Sequence, residues 1–412
     1  AFFTEADINN LDKATPLPVI FLNLLRRYVN VDTSPVRGYD MYKNFKTETT
    51  FHQERIRLSS AALFQSGFHV EDTVRYIGGP HVGAHRNPNA IRARLTAGVE
   101  PALLDRVISQ FVHGAPKKVH GVSSNANFME YFKYGNHSSC AIHKDKFKEV
   151  MLKDSRRGNT MLVDLRLLLF IPHLHLTPQG LVDVDNQWKS DRPVFDSSFR
   201  PEIWCNAIND WVDKTTEGQV YFPGSFNRLL SSIWNMRITY PNEPIFIGDD
   251  DVKNAFRLIK NNPAVVGMHG FVGHGLLGFS TGMTFGDNYS PQNFEPIAVA
   301  RSQQSTYLWK HEPLECLHKC KKYMDVLVMD SNKLDLRPFA QANADSQNTG
   351  VLDVNGDRLP PIFVAHVDDH LYADNKEYFP RGVAASVVGL DDSFGGSYAV
   401  SYTHLTLPTI LL

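Results

Sequence analysis

Cysteine is scarce in this chain. Four residues in 412 (Cys140, Cys205, Cys316 and Cys320) are too few and too irregularly spaced for a disulfide framework, which points to a reducing intracellular compartment. "CLHKC" (316–320) packs two Cys and a His into five residues, but no second ligand pair follows to complete a zinc site. Long apolar runs are missing as well. The longest, "MLVDLRLLLFIPHLHL" (161–176), is broken by Asp164, Arg166, a proline and two histidines, which excludes a bilayer span. No signal-peptide pattern opens the chain. Nor is there an excess of either charge: 42 Lys and Arg against 44 Asp and Glu leave a net charge of −2. The global basic surplus of a protein held on nucleic acid by phosphate contacts is absent. There is no internal repeat and no long low-complexity tract. What remains is 42% apolar and 21% charged, a globular composition with enough material for one large core or two.

The ends of the sequence suggest a fragment. Ala1 stands where an initiating methionine is expected, and "SYTHLTLPTILL" follows "GGSYAV" without composition logic, like the translation of a sequencing adapter. Residues 401–412 are therefore set aside as an artefactual tail. Residues 1–125 mix short helical patterns with polar breaks and carry no assigned role. Within them "PALLDRVISQFV" (101–112) has helical spacing, opens on Pro and ends near Gly114. Residues 126–240 read as strand-like runs between turns, including "GLVDV" and "RPVFDSS". Two local basic segments, "KDKFKEVMLKDSRRG" (144–158) and "HRNPNAIRARL" (85–95), read first as solvated helix faces.

The pattern sharpens over 241–400. Ile245, Phe246 and Ile247 form a short buried strand between Pro244 and Gly248. The residues after Asp251 turn helical, and Pro263 is expected to end them. Asp249, Asp250 and Asp251 then lie at the carboxyl end of a strand and the start of a helix. Further on, "FVAHVDDHLYAD" (363–374) places Asp368 and Asp369 at the bend of a hairpin with arms Phe363–Val367 and Leu371–Ala373. Both arms are apolar at nearly every position, as in strands covered on both faces. Carboxylates crowded at such a bend need compensation, because several close together do not all stay ionised without a cation. If the two acidic segments are neighbours, three or four carboxylates converge, an oxygen-only set suited to Mg²⁺ or Mn²⁺. Two such ions about 4 Å apart serve in-line phosphoryl or nucleotidyl transfer.

These segments resemble the motifs of reverse transcriptases. "DVKNAF" (251–256) resembles motif A, an Asp followed after three positions by Ala and an aromatic. "MTFGDNYSPQNFE" (283–295) resembles motif B, and "HVDD" (366–369) resembles motif C, in the family's order. Upstream, "NHSS", "LTPQGLVDV", "DRPVFDSSF" and "NAINDW" resemble the fingers segments of retrotransposon enzymes. The resemblance covers roughly residues 130–395. It implies an α+β fingers–palm architecture of a right-hand polymerase, with an antiparallel palm sheet backed by helices and the thumb missing. Fingers fall at 126–240 and the palm at 241–400.

The implied activity is RNA-directed DNA polymerisation with two Mg²⁺ or Mn²⁺ ions. Asp251, Asp368 and Asp369 become the catalytic metal-binding carboxylates, with the Val252 carbonyl as a further ligand. Phe256 takes the steric-gate position that favours deoxynucleotides. Arg192 and Lys189 meet nucleotide phosphate, and Phe285 and Gly286 lie beneath the incoming nucleotide and template base. Implied partners are an RNA or DNA template with primer, deoxynucleoside triphosphates, and other polyprotein domains such as thumb, RNase H, integrase or recombinase. No membrane is implied, and the location is cytoplasm or nucleus.

The sequence also departs from the family. His366 stands where an aromatic is common, and about 75 residues separate motifs B and C, including a polar loop at 337–361 read as an insertion. Two other readings stay open. His173, His175, His366 and Asp368 are candidate zinc ligands of a metal-dependent hydrolase. Alternatively, a polymerase-like domain serves as a non-catalytic nucleic-acid-binding scaffold.

Overall fold

A computed structural model of the chain describes residues 16–37, 48–79, 86–182, 193–212, 224–243, 245–252, 255–311, 361–366, 369–375 and 378–395. These form a mixed α+β architecture of helices and small antiparallel sheets. Among the described residues, eight strands run in chain order: β1 (Thr160–Asp164), β2 (Gln179–Leu181), β3 (Pro193–Phe195), β4 (Ile245–Asp251), β5 (Gly270–Gly273), β6 (Leu276–Ser280), β7 (Val364–His366) and β8 (Asp369–Asn375). Two compact units are each assembled from three stretches. Residues 1–85, 110–217 and 256–290 make the first, and 86–109, 218–255 and 291–412 the second. Among the described residues, no helix is long and apolar enough to cross a membrane.

The first unit is organised around β1, in a sheet of order β1-β6-β5. All five β1 residues are buried because its two faces serve different cores. Met161 and Val163 pack with Leu24, Tyr28, Leu58 and Leu63, whereas Leu162 joins Phe147, Met151, Phe195 and Phe271. Side chains alternate across a strand, so a strand covered on both sides reads as a continuous apolar run. In the Lys144–Arg156 helix, Phe147, Val150, Met151 and Asp154 recur at helical spacing and turn inward. Lys144, Lys148 and Arg156 stay exposed, so this basic segment is a solvated helix face.

Residues 126–240 are less strand-like than their sequence suggests. Helices occupy Asn125–Tyr134, Ser138–Ile142, Lys144–Arg156 and Ser225–Thr239. The segments "GLVDV" and "RPVFDSS" do supply strands: β2 and β3 pair antiparallel with Gly180 opposite Val194. The expected helix at 101–112 forms as Pro101–His113.

The second unit carries a sheet of order β4-β8-β7. The Ser225–Thr239 helix covers one face, where Leu229, Met236 and Tyr240 pack on Ile245, Val364 and Ala373. On the other face the Phe379–Ser393 helix brings Phe379 onto the rings of Phe246 and Tyr372, at 5.5 and 5.6 Å between centroids.

Three local expectations change. Strand β4 runs past Gly248 through Asp251, so the three aspartates are its carboxyl-terminal residues and no helix starts among them. Asp369 opens β8 instead of occupying the hairpin bend. Pro263 starts a helix, Pro263–Val266, where it was expected to end one. Asn262 caps that helix by accepting from the Ala264 N–H at 3.1 Å, and a proline in the first turn sacrifices no helical hydrogen bond.

Candidate functional site

The two acidic segments are brought together. In the antiparallel pairing of β4 with β8, Asp251 stands directly opposite Asp369, Asp250 opposite His370, and Asp249 opposite Leu371. On the other side of β8, Asp369 pairs with His366 of β7. Directly opposed residues of antiparallel strands have Cα atoms roughly 4.5–5.5 Å apart, close enough for two carboxylates to share one ion. An oxygen-only pair of this kind fits Mg²⁺ or Mn²⁺. Asp368, in the connection between β7 and β8, lies outside the described residues, as do the side chains of Asp251 and His366. Among the described residues, no group of three or more His, Cys, Asp or Glu is arranged to hold a metal.

Strand alternation sorts the three aspartates of β4. Successive side chains alternate across a strand, so Asp249 lies on one face and Asp250 turns to the other. There Asp250 is buried: Arg301 Nη2 donates to its Oδ1, and the Ser386 hydroxyl donates to Oδ2 at 2.5 Å. Burial disfavours its charge, but Arg301, with His370 and Ser386, outweighs burial and holds the carboxyl well below the usual range. Both of its oxygens are committed to the protein. His370 is fully buried beside the same groups, and burial together with the Arg301 charge pulls it down to about 4. It is therefore a neutral imidazole at pH 7. A cavity of about 10 Å³ behind the strand ends is lined by Val252, Arg301, Asp369 and His370, among others. The Val252 carbonyl accepts the Ala255 N–H at 3.0 Å, which leaves one of its two lone pairs for another partner.

In the first unit, the motif-B-like loop is held from several sides. Gly286 has φ of +96°, and a Cβ there would lie 2.0 Å from the Phe195 carbonyl oxygen, so no other residue fits without displacing β3. The Phe195 N–H donates to the Phe285 carbonyl at 3.1 Å, and Asn209 Nδ2 donates to the Gly286 carbonyl at 3.1 Å. Phe256 is buried, with its ring 5.0 Å from that of Phe285. Behind the loop, Lys117 Nζ lies 2.7 Å from Asp287 Oδ2 and 3.3 Å from His269 Nε2. Burial opposes the Asp287 charge, and the Lys117 ammonium overrides it, keeping the carboxyl below its ordinary value.

Sequence reasoning missed Lys117, Asp287, Arg301 and Ser386. Lys117 lies 170 residues from Asp287, and Ser386 lies 136 from Asp250, so no local pattern couples them.

The histidines of the hydrolase reading diverge. His173 is exposed in a turn with φ of +54°, whereas His175 is buried between the rings of Tyr131 and Trp211. Arg192 and Lys189, Cys316 and Cys320, and the polar loop at 337–360 lie outside the described residues. Cys140 and Cys205 are free thiols, both buried.

No family profile matches the chain, and no curated protein matches it. Among solved structures, a foamy viral protease–reverse transcriptase in complex with double-stranded DNA is similar over 73% of this chain, at 10% identity and a TM-score of 0.32. The chain spans 41% of that protein's length. A likeness at this level carries no assignment by itself.

Proposed function

We propose that the chain is the fingers–palm part of a retrotransposon-type reverse transcriptase, performing template-directed DNA synthesis on an RNA template. One observation carries the reading. The strand that ends at the first residue of the motif-A-like segment and the strand that begins at the last residue of the motif-C-like segment pair antiparallel, with Asp251 opposite Asp369. Nothing in either motif alone demands that register, and a one-residue slip would place the two on opposite faces.

In this reading Asp251, Asp368 and Asp369 hold two divalent ions, with the Val252 carbonyl beside them. Such ions, when bound, acidify the attacking hydroxyl and neutralise charge on the triphosphate. The chain's residues do the placing. The pairing of β4 with β8 sets Asp251 opposite Asp369, and Asp368 directly precedes Asp369 in the sequence. Phe256 excludes a ribose 2′-hydroxyl, Arg192 and Lys189 grip phosphate, and the Gly286 backbone admits close approach. The primer 3′-hydroxyl attacks the α-phosphate of a deoxynucleoside triphosphate, its proton is released, and pyrophosphate leaves. Contacts to template and primer fall on the backbone and weaken with salt.

The test is primer extension on an RNA template with Mg²⁺, comparing the chain with Asp369→Asn. Extension that disappears in the variant supports the reading. Extension that survives the substitution refutes it, and template binding with no extension by either protein points to the scaffold.

A further inference from the structure

We infer that Ser386, with Arg301, is a positioning residue for the carboxylate pair, tying the neighbours of Asp251 and Asp369 to one point behind the sheet. The inference rests on the reading of those two aspartates as metal ligands. Asp250 and His370 each adjoin a candidate ligand and pair with one another across β4 and β8. Both bond to a single atom. The Ser386 Oγ lies 2.5 Å from Asp250 Oδ2 and 2.7 Å from His370 Nδ1. With its only proton given to the carboxylate, the hydroxyl accepts from the imidazole Nδ1–H, which sets the His370 tautomer. Arg301 Nη2 closes the cluster by donating to Asp250 and, at 3.0 Å, to the same hydroxyl. Asp250, Arg301, His370 and Ser386 are all 2% exposed or less, so water does not compete for these bonds.

Strand β4 has special need of such a device. It reads Ile-Phe-Ile-Gly-Asp-Asp-Asp, apolar at three successive positions and acidic at three. Register is ordinarily specified by alternation, and here a one-residue slip exchanges like for like. The cluster requires one aspartate facing the helices, but by itself does not say which. Gly248 decides. It pairs with Tyr372, and a Cβ at that position would lie 2.2 Å from the tyrosine ring. A slip either way puts Ile247 or Asp249 there. The observed register is the one in which glycine meets Tyr372 while an aspartate meets Arg301 and Ser386. In that register Asp251 pairs with Asp369 across β4 and β8.

The experiment is Mn²⁺ titration of the 412-residue chain, followed by the electron paramagnetic resonance signal of free Mn²⁺, with folding checked by circular dichroism. Ser386→Ala should bind Mn²⁺ about tenfold more weakly, the usual loss when a group orienting a metal ligand is removed, and Ser386→Thr should restore binding. Asp251→Asn, which removes a ligand, is the control. A folded Ser386→Ala with wild-type affinity, alongside an Asp251→Asn that has lost binding, overturns the positioning role and leaves the reading of the site intact. An Asp251→Asn that binds like wild type, or a wild-type chain that binds none, sinks that reading and the inference with it. Should Ser386→Ala unfold, Arg301→Lys takes its place under the same two outcomes. It keeps the charge but loses the planar guanidinium whose Nη2 reaches both Asp250 and Ser386.

Discussion

Lys117 and Asp287 form a buried ion pair across 170 residues of chain, with Nζ 2.7 Å from Oδ2 and both side chains 3% exposed. Lys117 belongs to the region whose sequence offered no role, and Asp287 directly follows Gly286. The pair therefore assigns part of that region to holding the motif-B-like loop. Lys117→Met leaves the Asp287 carboxylate buried without its cation, which costs about 3–5 kcal/mol. The double variant Lys117→Met with Asp287→Leu replaces the pair by apolar groups and should recover most of that loss. Urea unfolding of both proteins checks this. A single variant as stable as wild type would show that the pair holds nothing.

Acid should weaken the first unit well before its carboxylates titrate. His175 and His269 are fully buried, and burial first, the Lys117 charge second, pulls each down to about 3. In the unfolded chain a histidine titrates near 6.5. The folded value is the lower one, so the unfolded state takes up protons first. This stabilisation is complete above pH about 6.5 and is lost as the pH falls toward about 3. By pH 5 each histidine costs about 2 kcal/mol. The urea midpoint should fall between pH 7.5 and pH 5, and equal midpoints would mean that these imidazoles are not held neutral.

Gly286→Ala should be costly even though it adds a single methyl. The position has φ of +96°, and the new Cβ would meet the Phe195 carbonyl oxygen at 2.0 Å. Strained backbone and a displaced strand together should remove at least about 2 kcal/mol, and the β2–β3 pairing with it. Amide hydrogen exchange at Gly180 and Val194, which face each other across β2 and β3, reads the second effect directly. Unchanged protection there would separate the loop from the sheet.

The parts of this fold legible in the sequence were those with local causes. The apolar run at 363–365 announced a strand covered on both faces, and the helix at 101–113 announced itself by spacing and an initial proline. Motif order brought Asp251 and Asp369 under suspicion together. What stayed hidden was set by distant partners. That β4 runs on through Asp251 follows from its ladder with β8, not from "GDDD", which reads as a turn. That Asp250 turns inward needs Arg301 and Ser386 behind the sheet. Pro263 illustrates a different failure. The residue that stops one helix also starts another, and the Asn262 cap that distinguishes the cases was in plain view.

Phe256 separates packing from gating. Its ring is 6% exposed and lies 5.0 Å from that of Phe285, so it is a core side chain whatever else it does. Phe256→Ala should cost about 3–5 kcal/mol as a buried aromatic truncation, measurable by urea unfolding. Phe256→Val is the gentler change for a functional assay. If the ring also excludes the ribose 2′-hydroxyl, that variant should incorporate ribonucleotides more readily relative to deoxynucleotides, because the loss of volume falls where the hydroxyl would sit. Packing alone predicts another result, in which both nucleotides are used less well and their ratio is unmoved. A ratio of kcat/KM values that stays at the wild-type level in a folded Phe256→Val protein would leave the ring as core and remove the gate.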